Sequence, residues 1–436
     1  MKKIASLAIA GLFVLSTLFA GCSSGSSSSA PASAQNSTSS QGEQVTLTLG
    51  IWDSGQEAFT LEMCEAYEEA NPNVTIEVQL TPFRQGVGEY WTKLEAAAVG
   101  GTAPDVFWCN GLHAESYQQA GIMLDLQPYV EEQQYDLSVF PQAILDLYSF
   151  DGHLYAVPKD FDTNAVWYNK EIFDAANVAY PTDDWTWDDM VEIARQLTDA
   201  EKGIYGLAAP LKNQVCYYNT VFAGGGYILS DDRRSTGYND PKTIEGIQVW
   251  LDLLDEGLSP SFTTLSDTSE DAMFLSGQLA MSWAGSYRTA EYLASEELAG
   301  KIDCVEVPSY NGQNGNVMHG IGYAVYNQSK NIDEAVKFAL WLGSEEAQTI
   351  QGESGVVISA HKNAQSLFAQ TNPDVNLQAY LNQAEIATPY PCCVASAEIF
   401  DAESRYLKQA YSGERPLQEV CEELQAEAMS ILEKVG

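Results

Sequence analysis

Basic residues are scarce in this chain. Lys and Arg number 21 against 60 Asp and Glu, a formal net charge of −39 over 436 residues. A surface of that sign repels phosphate backbones, so nucleic acid is excluded as a partner. It also lacks the basic patch that grips anionic lipid. His is rare, at His113, His153, His319 and His361. No C-x-x-C occurs, so the spacing of a zinc motif is missing and neither metal nor cofactor is expected. Neither H-E-x-x-H nor G-x-x-x-x-G-K-[ST] is present. No repeat of fixed period is visible. Beyond the N-terminus no stretch approaches ~18 uninterrupted apolar residues, so no later segment is expected to span a membrane.

What remains is a chain with ample core material, 45% hydrophobic and 11% aromatic. Global disorder is excluded by that composition. Met1-Lys2-Lys3 is a short basic start, and Ile4 to Phe19 is apolar over the length a signal peptide needs. Leu18-Phe19-Ala20-Gly21-Cys22 resembles a bacterial lipobox, with Cys22 the lipidated residue. Residues 1–21 are therefore expected to be a signal peptide. Residues 22–44 are Ser-rich without apolar period and read as a flexible tether. Seven cysteines follow Cys22, an odd number that cannot all pair. They read as buried free thiols, with a bridge from Cys392 or Cys393 to Cys421 as the alternative.

The body alternates strands and helices. Val45 to Ile51 alternates as a strand, Glu57 to Ala70 carries Phe59, Met63, Ala66, Tyr67 and Ala70 at helical spacing, and Asn71-Pro72 stops it. Val74 to Leu80 and Val106 to Cys109 are strands with the helix Tyr90 to Val99 between them. Further on, Thr163 to Asn169, Leu279 to Ala284 and Gly322 to Asn327 read as strands. Trp187 to Leu197, Ile244 to Leu254 and Ile332 to Leu342 read as helices. Ala397 to Leu432 is helical, broken at Gly413 and Pro416. Repeated β-α-β order predicts an α/β fold. Ligands on such sheets bind outside the carboxyl ends of strands, which sets Trp52-Asp53 and Trp108 to Asn110 on one rim.

Five segments in order resemble one family. They are Ala66 to Val74, Gly101 to Trp108, Tyr155 to Thr163 with Val166 to Lys170, Phe274 to Met281, and Gly322 to Val325 followed by Ala335 to Gln348. Together they resemble the extracellular solute-binding proteins of ABC importers, in the carbohydrate-binding group that includes maltose-binding protein. The resemblance implies a two-lobe periplasmic-binding-protein-like fold of type II, with a ligand cleft between lobes and three hinge crossings. The crossings are expected near Asp160 to Thr163, His319 to Tyr323 and Thr388 to Cys392. One lobe would then be 45–160 plus 323–388, the other 163–319 plus 392–436. It implies a monomer at the extracellular face of the membrane, held by its N-terminal lipid, that passes a sugar to permease subunits.

A sugar ring wants a flat aromatic on its C–H face and planar polar groups on its hydroxyl rim. Trp52 follows a strand, Trp108 precedes Asn110, and Tyr287 lies just past Gly285. The resemblance implies stacking at the positions of Trp108 and Tyr287, and more loosely at Tyr217 or Tyr218. Trp283 is divided between cleft and core. The polar partners would be Asp53, Gln56, Asn110, Asp160, Asp162 and Arg288, since carboxylates accept two hydroxyls and Arg donates from a fixed fork. Gly320 is a backbone contact or room for hinge motion. The basic ligand-contact positions of the family's first lobe have no counterpart after Trp52.

Two rivals compete with a sugar binder. A glycoside hydrolase needs a carboxyl pair across the scissile bond, and Asp160 with Asp162 could be mistaken for one. A cationic solute such as a polyamine would also suit aromatics with carboxylates. Arg288 in the cleft would repel a cation, which favours the neutral sugar.

Overall fold

The structure is a computed structural model that describes residues 44–82 and 89–435. The expected signal peptide, Cys22 and nearly all of the tether lie outside the described residues. Among those described, no helix is long and apolar enough to cross a membrane.

The strands are β1 (Val45–Ile51), β2 (Val74–Leu80), β3 (Val106–Asn110), β4 (Ser149–Phe150), β5 (His153–Leu154) and β6 (Ala156–Asp162). They continue as β7 (Asn164–Asn169), β8 (Met281–Gly285), β9 (Ile302–Glu306), β10 (Val317–Val325), β11 (Ile358–Ser359) and β12 (Thr388–Pro389). A seven-stranded sheet has the order β11-β6-β10-β3-β1-β2, with β12 added beside β10. A second sheet of three strands has the order β8-β7-β9. In the first sheet β1 runs parallel to β2 and β3, while β10 runs antiparallel to β3 and β6.

Local chemistry explains these elements. In β1, Leu47, Leu49 and Ile51 are buried on alternate positions. The Thr48 amide and hydroxyl both donate to Asp105, pinning the edge of β3 to the strand. Helix Glu57–Ala70 buries Phe59, Met63 and Tyr67, and the Tyr67 ring meets Phe338 and Trp341 of the neighbouring helix Ile332–Leu342. Helix Trp187–Leu197 opens on a capping box, with Thr186 and Asp189 each bonding the other's backbone. Such a box satisfies two orphan N–H groups at once. Trp250 meets Trp187 and Trp283 edge to face beside the three-stranded sheet, and the three rings fill its core.

Buried amides brace the passages of the chain between the two sheets. Asn164 N donates to Asn316 Oδ1 at 2.9 Å, and Asn316 Nδ2 returns a bond of 2.9 Å to Asn164 O. Asn219 Oδ1 accepts from Asn164 Nδ2 and Val317 N, and Thr388 N donates to Asn316 O. All three Asn side chains are essentially unexposed, so each lost bond would leave a costly buried polar group.

Two expectations need correction. Residues 319–323 are not a crossing: they lie inside β10, paired on both sides with β6 and β3. The chain passes earlier, before Val317, where the Asn316 amides sit. Helix Gln378–Ala384 was expected with the first sheet. It instead packs on the second, where Thr163 Oγ1 donates to Tyr380 O at 2.7 Å and Trp167 Nε1 to Tyr380 OH at 2.6 Å.

Candidate functional site

The first wall is built on the carboxyl ends of β1 and β3. Trp52 is half-buried, and its ring lies 5.2 Å from Trp108 and 4.9 Å from Tyr90, both edge to face. Asp53 caps the turn that follows, accepting from Gly55 N and from Gln56 Nε2. Gln56 Oε1 then accepts from Lys159 Nζ at 2.6 Å, and Lys159 Nζ also meets Asp160 Oδ2 at 2.6 Å. Asp160 Oδ1 accepts from Ile321 N on β10. Lys159 is wholly buried, with its ammonium 4.5 Å from the Trp108 ring centre. Burial pulls its pKa down, and the Asp160 charge and hydrogen bond oppose that. The result is a closed chain of bonds from the rim at Asp53 to β6.

Trp108 is not on the rim. It is 0% exposed and its Nε1 has no hydrogen-bond partner. The physical reason is position: β3 lies between β10 and β1, and a strand covered on both faces buries successive residues. Asn110, two residues further on, is half-buried, and its Oδ1 is 2.9 Å from His113 Nδ1. The His113 ring stacks on Trp91 at 3.8 Å. Burial holds His113 and His319 down to about 4, so both are neutral near pH 7.

Gly320 serves packing. A Cβ there would stand 2.3 Å from Asp160 O, and Tyr148 OH donates to Gly320 O at 2.7 Å. Trp283 belongs to the aromatic core just described. Arg288 is held by Asp271 at 2.9 Å and Glu291 at 2.7 Å, so its charge is already answered.

The second wall gathers around a cavity of about 360 Å³ lined by Gln214, Tyr217, Tyr287, Phe400 and Glu403, among others. Tyr287 is 44% exposed, and its ring lies over Gly285, where a Cβ would stand 2.4 Å from it. Tyr217 is 2% exposed and lines this cavity from within the protein. Asp162, at the end of β6, accepts from Gln214 Nε2 and so ties the crossing to this wall. Desolvation, then the nearby Asp160 charge, pushes the Asp162 carboxyl well above the usual carboxylate range.

The structure thus brings Trp52, Asp53, Gln56 and Asp160 together on one side, and Tyr217 and Tyr287 on the other, with Asp162 at the crossing. The first matched family model, bacterial extracellular solute-binding protein, covers residues 52–349. The chain belongs to that family. Bacterial extracellular solute-binding proteins are binding proteins rather than enzymes, and their two-lobe α/β fold is the fold of this chain. An ABC substrate-binding protein of Listeria monocytogenes, solved in complex with cycloalternan, is 26% identical with TM-score 0.78, over 88% of this chain and 97% of that one. The GacH receptor of Streptomyces glaucescens shares the fold at 21% identity and TM-score 0.77, over 89% of this chain and 98% of that one. The galactooligosaccharide-binding protein of Bacillus subtilis is 21% identical, over 91% of this chain and 92% of its own length.

Four residues of the two walls of this solute-binding protein are absent from the sequence expectations: Lys159, buried behind the first, and Gln214, Phe400 and Glu403 on the second. Two left a trace. Lys159 stands beside Asp160 in a strand whose other residues are apolar or ionic in turn. Glu403 lies on the stripe Ile399, Ala402, Leu407 and Ala410, an acid on the apolar face of its helix. Gln214 and Phe400 left none, because only the fold brings their segments to Tyr287.

Proposed function

We propose that this protein captures a sugar or oligosaccharide in the cleft and delivers it to the permease of an ABC transporter. In this reading the mature chain begins at a lipidated Cys22, stands off the membrane on its Ser-rich tether and works as a monomer outside the cell. Its lobes are 45–160 with 317–377, and 163–316 with 378–384 and 392–436. The helix Gln378–Ala384 belongs to the second lobe on its packing. The observation that carries the reading is the pairing of partly exposed aromatics, Trp52 and Tyr287, with planar hydrogen-bonding groups at Asp53, Asp162 and Gln214. An aromatic face with a few convergent polar groups suits a sugar ring. The cycloalternan complex of the Listeria protein and the galactooligosaccharide-binding protein of Bacillus subtilis support the same class.

One observation favours a cationic solute. Arg288 is paired with Asp271 and Glu291, so it does not repel a cation from the cleft. A thermal-shift screen of mono- and oligosaccharides with polyamines as the contrast separates the two. A shift with saccharides is expected. A shift with polyamines alone would overturn the sugar reading. Mass spectrometry of the membrane-bound protein is expected to find a diacylated or triacylated Cys22, and an unprocessed N-terminus would remove the anchor.

A further inference from the structure

The Glu403 carboxyl belongs to the second wall. It is 1% exposed on helix Ser396–Tyr411. Oε2 accepts from Asn213 Nδ2 at 3.2 Å and from Tyr218 OH at 3.0 Å. Oε1 has no hydrogen-bond partner. A core carboxylate is ordinarily paired with a cation or bonded on both oxygens, because an unmade bond to a buried charge is costly. Neither holds here. Lys212, which lines the same cavity, is bonded to Glu270. The orphan oxygen therefore belongs to a residue that walls the cavity shared by Gln214, Tyr287 and Phe400.

We propose that Glu403 is a specificity-determining residue of the cleft, whose Oε1 accepts a hydrogen bond from a hydroxyl of the captured saccharide. This rests on the saccharide reading above. Tyr287 and Phe400 supply apolar faces, and Glu403 supplies an acceptor on the same wall. A hydroxyl-rich solute fills both needs, whereas a solute without a donor leaves the oxygen unpaired.

The surroundings let one proton report on that bond. Tyr217 and Tyr218 face Glu403 from the segment 213–223, Tyr238 from the loop before helix Pro241–Asp255, Tyr390 from the third crossing, Tyr411 from its own helix and Cys421 from helix Leu417–Val435. Burial pushes all of these up, so each is neutral near pH 7. Burial likewise raises Glu403 to about 7, with the donors Asn213, Tyr218, Tyr217 and Tyr238 opposing it. A hydroxyl donor favours the carboxylate over the acid, so binding lowers the Glu403 pKa. By linkage, affinity then rises as pH climbs through the transition.

The test is titration calorimetry on the full chain from about pH 6 to about pH 8, on either side of that transition. The probes are maltotriose, a galactooligosaccharide and cycloalternan. Wild type is expected to gain about tenfold in affinity across the range, the scale of one hydrogen bond to a charged group. E403Q is expected to give a flat profile, and Y218F to move the wild-type midpoint upward by removing one donor. A flat wild-type profile would overturn the assignment, and an E403Q slope equal to wild type would overturn it and point to Asp162 instead. If E403Q does not fold, an unmoved midpoint in Y218F overturns it. Saccharide binding with an unaltered slope removes Glu403 alone. Failure of wild type to bind any probe at any pH removes the saccharide reading and this proposal with it.

Discussion

On the side of the seven-stranded sheet, Asp160 is buried against Lys159, and every polar group from Asp53 to Ile321 N is bonded. On the side of the three-stranded sheet, Glu403 is buried among tyrosines with no cation and one oxygen free. The difference separates two kinds of buried charge. The first has its partner within the chain, so its geometry is set before ligand arrives. The second is incomplete without a donor from elsewhere, so a proton or a ligand decides its state. A wall of the first kind positions Trp52, and a wall of the second kind discriminates.

The largest expected effect tests the closed wall. Lys159→Met strands Asp160 without its cation and is expected to cost about 3–5 kcal/mol in urea unfolding. A cost below about 1 kcal/mol would mean the pair is not a structural unit. Trp108→Ala is expected to cost about 3–5 kcal/mol as a core truncation. If it weakened binding with unaltered stability, Trp108 would be a rim residue after all.

The open wall is read by pH. Glu403 rises from 4.5 unfolded to about 7 folded, so between those values the folded state holds more protons. Stability therefore falls as pH rises from about 5 to about 8, and on the order of 2–3 kcal/mol is at stake by linkage. E403Q is expected to shed that part of the slope in unfolding curves, and an unchanged slope would assign it to Asp162, whose carboxyl is raised too. Tyr287→Ala is expected to cost about tenfold in saccharide affinity with unfolding unchanged, as loss of one stacking face. The smallest effect lies outside both walls. Arg233 meets Glu115 at 3.0 Å on a partly exposed edge, and Arg233→Ala is expected to change stability by less than about 1 kcal/mol.

Much of the fold was legible wherever periodicity met a punctuation mark. Glu57–Ala70 ends at Asn71-Pro72, and Trp187–Leu197 begins at the Thr186 box, so both are bounded as read. The end of the chain breaks near Gly413 and Pro416 as expected, giving helices Ser396–Tyr411 and Leu417–Val435. The site was harder. Trp52 and Trp108 both stand near the end of a strand, but Trp52 follows its strand and Trp108 lies within one, a step that changes rim to core. Arg288 looked like a ligand fork because its acid, Asp271, lies 17 residues earlier in another helix. Glu403 takes its bonds from Asn213 and Tyr218, 190 and 185 residues away, beyond any local pattern.

The seven cysteines among the described residues are free and buried, spread over both sheets, three helical segments and the third crossing. Burial raises Cys64 and Cys421 to about 12, so almost no thiolate exists in the folded protein near neutral pH. An alkylating reagent must then wait for each site to open. Its rate at Cys109 reports opening of the central sheet, at Cys304 of the small sheet, and at Cys392 of the third crossing. The wild-type chain thus carries its own set of local clocks, and comparing them with and without a bound solute would show which part of the molecule the solute holds shut.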